Sequence, residues 1–217
     1  MGLFSRFLRK RKASLTPDLA AGIRRSFEEA AADEERFPSE IDPRILHVRA
    51  VIEGIAPLGP GARVLDAGCG KGRFAKHVKR AYPQAAVVAL DLALAMLRCA
   101  PPELERVAAS MLELPFAPQS FDAVYATESL EHAVDIEAAV AELCRVLKPG
   151  GRIVIIDKNA RQWGRLETPP WEKWFREEEL LGLLRRWCRN AACRPISYWE
   201  DVPPDGLFLC WTATRNS

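Results

Sequence analysis

Residues 63–74 read Arg-Val-Leu-Asp-Ala-Gly-Cys-Gly-Lys-Gly-Arg-Phe, and this stretch decides the fold. Arg63–Ala67, with Val64, Leu65 and Ala67, predicts a short buried strand. Gly68, Gly70 and Gly72 then make a turn almost free of side chains, and Arg73–Tyr82 predicts a helix stopped at Pro83. A strand, a glycine-rich turn and a helix in that order open a β/α unit. In a parallel sheet such a turn lies at the carboxyl ends of the strands, where these folds present a ligand.

Working outward, the alternation continues on both sides and predicts a parallel sheet. Before it, a helix starts at Pro43 and carries Ile45, Val48, Val51, Ile52 and Ile55 at spacings of three and four until Pro57, Gly59, Pro60 and Gly61 end it. After it come a strand Ala86–Leu90 ending on Asp91, a short helix through Met96 closed by Pro101 and Pro102, and a weak strand Arg106–Ala109. Phe121–Thr127 is a fourth strand, Ile136–Leu147 a helix, and Lys148-Pro149-Gly150-Gly151 a turn into a fifth strand, Arg152–Asp157. Lys158–Trp174 has no clear period and reads as a loop over a site. Glu177–Asn190 reads as a helix with glutamates in its first turn and arginines in its last, which suits the helix dipole. Cys193–Trp199 and Leu207–Thr214, separated by Pro203-Pro204-Asp205-Gly206, read as an antiparallel hairpin. The division expected is a basic arm and helical extension over 1–41 and one ligand-binding domain over 42–217.

A chain of 217 residues suits one domain with small additions. At 48% hydrophobic and 28% charged the composition is that of a soluble protein, and its longest apolar runs fall far short of the roughly 20 residues of a membrane span. The 6 cysteines form no CxxC pair and follow no secretory signal, which predicts reduced thiols in a cytoplasm. Arg6, Arg9, Lys10, Arg11 and Lys12 stand in the first twelve residues without an acid, so the net charge of +2 becomes −3 over the remainder. A short basic arm on a mildly acidic body argues against a nucleic-acid-binding face. Leu3, Phe4, Phe7 and Leu8 recur at helical spacing among those charges, the pattern of an interfacial helix, and predict peripheral membrane contact through residues 2–12, with a solvated arm or a helix docked on the body as the alternatives.

The glycines at 68, 70 and 72 miss the dinucleotide fingerprint GxGxxG by one position. The phosphate loop GxxxxGK[S/T] is missing as well, so a pyrophosphate ligand is disfavoured. What the spacing supplies is a bare loop against which a ligand lies on backbone, with the Asp66 carboxylate just below. Asp91, at the end of the next strand, stands where a ribose diol finds its acceptor. The two acids together point to an adenosine ligand.

Four ordered motifs carry a wider likeness: VLDAGCGKGRF at Val64–Phe74, VVALDLALAML at Val87–Leu97, LPF and then SFDAVYATESLEH between Leu114 and His132, and ELCRVLKPGGRIVI at Glu142–Ile155. With them the chain resembles the class I S-adenosylmethionine (SAM) dependent methyltransferases, in particular the small-molecule type related to ubiquinone-biosynthesis methyltransferases. The resemblance implies a Rossmann-like, seven-stranded, mostly parallel α/β sheet with helices on both faces and an antiparallel C-terminal hairpin, and SAM as cofactor. It places Gly68, Cys69 and Gly70 beside the methionine part, Asp66 on its amino group and Asp91 on the ribose. Leu92 packs on the adenine, Ser110, Met111 and Leu112 line its edge, and Thr127 completes the set. Ser110 departs from the aspartate usual there, and a neutral hydroxyl accepts more weakly than a charged group.

Methyl transfer is an in-line displacement at an activated sulfonium, so the main task is to hold a nucleophile about 3–3.5 Å from the methyl, and a dedicated base is optional. His132, whose ordinary proton affinity suits neutral pH, is the candidate base and Glu128 the second catalytic candidate, with a capping or orienting role as the alternative for His132. His47 reads as a partly buried histidine with satisfied bonds and His77 as solvated. No metal cluster is assembled from these histidines. Trp163, Trp171 and Trp174 are candidates for an acceptor pocket, whereas Trp187 and Trp211 fit helix and strand packing. The acceptor expected is a small or lipid-like molecule, met by residues 13–41 and 158–175. Base-amine methylation is disfavoured because Thr127-Glu128-Ser129-Leu130 stands where (N/D)PP(Y/F) is usual. A SAM-binding protein without catalysis stays open, as does the oligomeric state.

Overall fold

The alternating pattern folds into a single sheet of seven strands. The computed structural model describes residues 18–199 and 202–217. Its strands are β1 (Arg63–Ala67), β2 (Ala86–Asp91), β3 (Glu105–Ala108), β4 (Phe121–Thr127), β5 (Leu147–Lys158), β6 (Cys188–Ile196) and β7 (Phe208–Arg215), in the spatial order β3-β2-β1-β4-β5-β7-β6. β1 to β5 pair in parallel, and β7 runs antiparallel to both β5 and β6. The helices are α1 (18–30), α2 (Leu46–Ile55), α3 (Arg73–Ala81), α4 (Leu94–Cys99), α5 (Ile136–Val146) and α6 (Glu177–Leu184).

Successive residues of a strand face opposite ways, and here both faces are covered, which is why the central strands read as near-continuous apolar runs. Leu65, Val88, Val124, Ile153 and Ile155 bury on one face with Leu143 of α5 and Leu180 of α6. Val64, Val87, Ala123, Val154 and Ile156 bury on the other with Val51 of α2 and Phe74 of α3. Strand order turns back between β1 and β4, and such a point leaves a crevice outside the carboxyl ends of the strands. The glycine-rich turn after β1 sits there.

Several boundaries differ from the sequence reading. The helix expected over Glu177–Asn190 ends at Leu184, and the chain enters β6 at Cys188, earlier than Cys193. Once Leu180, Leu181 and Leu184 are buried, β7 needs a partner for its outer edge, and ladder pairing overrides helix propensity. Asn190 takes the bend there at φ 54°, a conformation that asparagine tolerates better than most residues. Lys148–Gly151, expected as a turn, belongs to β5 as an irregular start that shifts its register against β4. Pro43 precedes α2 rather than opening it. All 6 cysteines are free, and Cys144 of α5 and Cys188 of β6 approach to 3.8 Å between their sulfurs in the core. Among the described residues no helix is long and apolar enough to cross a membrane. The basic arm over residues 2–12 lies outside the described residues.

Candidate functional site

A cavity of about 440 Å³ opens at the carboxyl edge of β1, β2 and β4, and every cofactor residue expected from the sequence lies on its wall. The turn after β1 is shaped by a close approach. Gly68 has φ 78°, and a Cβ there would stand 2.5 Å from the Cβ of Ser129, so no other residue fits without moving the loop. The Ser129 hydroxyl donates to the Ala67 carbonyl at 2.8 Å and fastens that approach. Asp91 is held by the backbone: Gly70 N and Ala93 N donate to its two oxygens, each at 2.8 Å. Burial raises its carboxyl above the ordinary range.

Asp66 is 2% exposed, and burial pushes its carboxyl up to about 8, with the charge of Asp91 adding to the effect. Its Oδ2 and the hydroxyl of Thr127 are buried with no hydrogen-bond partner in the protein, and both residues line the cavity. Burial also lifts the Cys69 thiol well above its usual value, so this cysteine acts as packing. Leu92, Met111 and Leu112 supply apolar wall, and Ser110 uses its Oγ to accept from Leu112 N at 3.1 Å.

The roof comes from two segments distant in sequence. Ala20, Ile23 and Phe27 of α1, and Arg36–Pro38 after it, cover one side. Glu28 fixes α1 to the body by accepting from Leu94 N at 2.7 Å and Ala95 N at 2.9 Å, a cap for α4, whose own N-cap residue Ala93 has no side chain able to do it. Lys71 Nζ donates to Glu34 Oε1 at 2.5 Å, Lys76 pairs with Glu40, and His77 meets the Ile41 carbonyl at 3.1 Å. His77 is therefore buried and tied to the roof, against the solvated position expected, and burial lowers its proton affinity.

The second segment is the loop after β5, which closes on itself where Ala160 N donates to Phe175 O and Phe175 N to Lys158 O. Of its tryptophans, Trp171 lines the cavity while Trp163 and Trp174 do not. Trp163 is 61% exposed and stands edge-on to buried Trp174, whose indole N–H donates to Glu172 at 2.8 Å. Pocket roles for Trp163 and Trp174 are thereby corrected: one faces out and the other braces a carboxylate.

The two catalytic candidates, Glu128 and His132, are both on the wall, in different surroundings. Glu128 leaves β4 at φ 52°, with His47 Nδ1 at 3.3 Å, the Tyr198 hydroxyl donating to the same oxygen at 3.3 Å and Arg73 at 3.6 Å from the other. Burial would raise its carboxyl, but His47 and Arg73 outweigh it and hold Glu128 down to about 2. A carboxylate that acidic is a poor base. It is the charged centre of a group joining the end of β4 to α2, α3 and the segment after β6. His47, fully buried, is the partner in that group.

His132 ends the short 3-10 turn Leu130–His132, edge-on to Phe27 at 4.9 Å between ring centres. Burial presses its proton affinity down to about 3, with the nearby Lys158 charge adding, so it stands neutral and takes up a proton poorly. It lines the cavity as an uncharged hydrogen-bonding ring. Beside it lies a cluster that the sequence did not reveal. Lys158 Nζ donates to Glu131 Oε1 at 2.5 Å and lies 3.1 Å from Glu172 Oε1, and Glu131 N donates to Asp157 Oδ2 at 3.1 Å. Burial and the Asp157 charge lift the Glu131 carboxyl to about 11. Ligand atoms of Glu131, His132 and Glu172 come within 4.8 Å of one another, a grouping of carboxylates that the histidine count did not foresee. The Lys158 ammonium is the cation between the two glutamates.

A model of the methyltransferase domain family matches residues 65–155. Over 198 residues the chain is 31% identical to 2-phytyl-1,4-naphtoquinone methyltransferase of Thermosynechococcus vestitus, covering 87% of this chain and 86% of that protein. It is 36% identical over 115 residues to a ubiquinone/menaquinone biosynthesis C-methyltransferase of Syntrophotalea carbinolica, covering 50% of this chain and 48% of that protein, and so spans about half of the latter's length. Among solved structures, a Haloferax volcanii methyltransferase in complex with its activator protein matches with a TM-score of 0.70 at 19% identity, over 88% of this chain and 98% of that one, a likeness of fold.

Proposed function

The chain belongs to the SAM-dependent methyltransferase family, and from that membership we propose that it transfers the SAM methyl group to an oxygen, nitrogen or carbon atom of a small, lipid-like acceptor. The observation that carries the reading is one continuous cavity. One end is the glycine turn with Asp66 and Asp91, and the other is the space under α1 and the loop after β5. The residues at the first end fit the cofactor: Asp66 Oδ2 has no partner in the protein and suits a cationic amino group. The turn that Gly68 makes possible leaves backbone rather than side chain against the ligand.

In this reading Gly68, Cys69 and Gly70 pass beside the methionine part, Asp91 takes the ribose, Leu92 lies on the adenine, and Ser110, Met111, Leu112 and Thr127 complete the wall. Bound there, SAM supplies a sulfonium methyl: the S–CH3 bond breaks as the bond to the acceptor atom forms, a neutral thioether is left, and the acceptor gives up a proton. The chain's own part is to hold the acceptor in line and to exclude water with its roof. Ile23, Phe27, Leu166 and Trp171 give the second end an apolar lining, which fits a lipid-like body better than a sugar or nucleotide. Two relatives, by their names, act on phytyl-bearing quinone or hydroquinone compounds, which supports the same class. The basic, apolar arm over residues 2–12 would bring the enzyme to the membrane surface where such acceptors reside.

The test incubates the full chain with methyl-labelled SAM and cell extract split into lipid and water-soluble fractions. Label is expected in a lipid product. SAM binding without transfer of label to either fraction would overturn catalysis and leave the non-catalytic reading, and label in the water-soluble fraction alone would overturn the acceptor class.

A further inference from the structure

Among the described residues, most buried side-chain atoms without a hydrogen-bond partner line this cavity, His47 Nε2 and the Tyr125 hydroxyl being the two that do not. Asp66 and Thr127 stand at the cofactor end, and Glu131 Oε2, His132 Nδ1 and Trp171 Nε1 stand at the other. Buried polar groups are normally paired, because an unmet one costs about 1–3 kcal/mol. Three such atoms on one wall therefore describe a ligand. Glu131 is 1% exposed and enters from the 3-10 turn after β4. His132 follows it in sequence, its Nε2 lying 3.5 Å from Glu131 Oε1. Trp171 arrives on the loop after β5, which is pinned to this turn where Lys173 N donates to the Glu131 carbonyl at 2.9 Å.

We propose that Glu131, His132 and Trp171 form the subsite for the acceptor's polar head, and that this subsite selects an uncharged head bearing oxygen, a hydroxyl that both donates and accepts. This rests on the reading of the second half of the cavity as the acceptor site. The choice follows from what each atom offers. An indole N–H only donates, so the ligand must present an acceptor. Neutral His132 can receive a ligand hydroxyl's proton in a hydrogen bond, and the Glu131 carboxyl, kept protonated by burial and with one oxygen already accepting from Lys158, can donate to the hydroxyl's oxygen. A phosphate or carboxylate head would face Glu131 and Glu172 on the wall, and Lys158, the cation between them, is already shared by both. An ammonium head would meet carboxylates but leave the Trp171 N–H unmatched. Arg36, at the exposed rim, is the cavity's other cation on that side and is the natural place for a rejected anion to bind.

Three probes share one apolar body: 1-naphthol, 1-naphthyl phosphate and 1-naphthylmethylamine. Each is measured by equilibrium dialysis against the full chain saturated with S-adenosylhomocysteine, which keeps the cofactor end filled. Naphthol should bind at least about tenfold more tightly than either charged probe, and Trp171→Phe, which removes the N–H and keeps a ring, should weaken naphthol about fivefold or more while leaving S-adenosylhomocysteine affinity unchanged. His132→Phe, which removes the acceptor nitrogen and keeps a ring, should do the same, and where that buried change does not fold, Trp171→Phe carries the test. Tighter phosphate binding abolished by Arg36→Ala, tighter amine binding, or naphthol binding indifferent to Trp171→Phe would each overturn the subsite. Failure of S-adenosylhomocysteine to bind at all would overturn the methyltransferase reading instead, so the two failures are distinguishable.

Discussion

Asp66 ties cofactor binding to pH with a sign that reverses. In the free protein its buried carboxyl titrates at about 8 rather than at the ordinary 3.8. At pH 7 it therefore carries roughly nine-tenths of a proton, and at pH 9 about one-tenth. A ligand ammonium at Asp66 favours the carboxylate, so binding at pH 7 drives that proton off. An α-amino group titrates at about 7.7–8.0 and binds in its charged form, taking up about one-tenth of a proton at pH 7 but about nine-tenths at pH 9. The net exchange is a release of about 0.8 proton at pH 7 and an uptake of about 0.8 at pH 9, with affinity greatest near pH 8 and about tenfold weaker for each unit below pH 7. The assay is calorimetry of S-adenosylhomocysteine binding in phosphate and in Tris, whose ionisation enthalpies differ widely, so that the buffer dependence of the measured heat counts protons. Asp66→Asn should abolish the release at pH 7. A binding heat independent of buffer at pH 7 in the parent protein would refute both the raised carboxyl and its pairing with the amino group. The same shift bears on folding: the folded protein holds this proton more tightly, so its contribution to stability is complete below about pH 4 and is lost as pH rises through about 8.

Glu128→Gln should lower stability by about 2–3 kcal/mol above pH 5, a difference that vanishes towards pH 2 because a depressed carboxyl stabilises only when ionised; the pH profile of methyl transfer should keep its shape, and loss of a limb would show Glu128 to be a base after all. Gly68→Ala should cost at least tenfold in cofactor affinity by forcing the turn off Ser129, as read by calorimetry alongside a melting curve, and an unchanged dissociation constant would mean that the loop does not shape the site. Ser110→Asp should tighten SAM binding severalfold by offering a charged acceptor, and Ser110→Ala should weaken it; parity of all three would remove Ser110 from the adenine edge. The full chain should co-sediment with anionic vesicles at low salt more than a chain starting at Ala13, since each basic residue near such a surface contributes about 1 kcal/mol, and equal pelleting would end the membrane reading.

How much of this was legible follows the range of the interactions involved. β1 and β4 match the strands read from sequence residue for residue, because local apolar runs bounded by glycine and proline suffice to mark a strand covered on both faces. The residues that the resemblance assigned to the cofactor come together on one cavity wall because each stands in or beside a turn that follows its own strand. The end of α6 was not, because Trp187 and Cys188 satisfy a helical stripe as well as a strand, and only pairing with β7 decides between them. His77 looked solvated among lysines and arginine, yet its ring meets the carbonyl of Ile41, more than thirty residues earlier. The cluster of Glu131, Asp157, Lys158 and Glu172 joins three separate segments, and no spacing in the chain announces it. One signal was available and passed over: Lys158 and Glu172 both fall within the segment already read as a loop over a site.

The roof and the floor of the cavity are fastened by different kinds of force. The floor is a sheet buried on both faces, whereas α1 and the residues after it are attached by carboxylates that reach solvent, Glu28 on the end of α4 and Glu34 and Glu40 on lysines, and by one small apolar cluster of Phe27, Ala31 and Phe37 with Ala93 and Met96. The carboxylate attachments are screened by salt and are worth far less than a two-sided core. The molecule is thus built like a vessel with a separable cover. On the proposed reading, such a cover would let residues 18–41 lift while the strands keep their pairing, giving a lipid-like product an exit that asks nothing of the sheet beneath it.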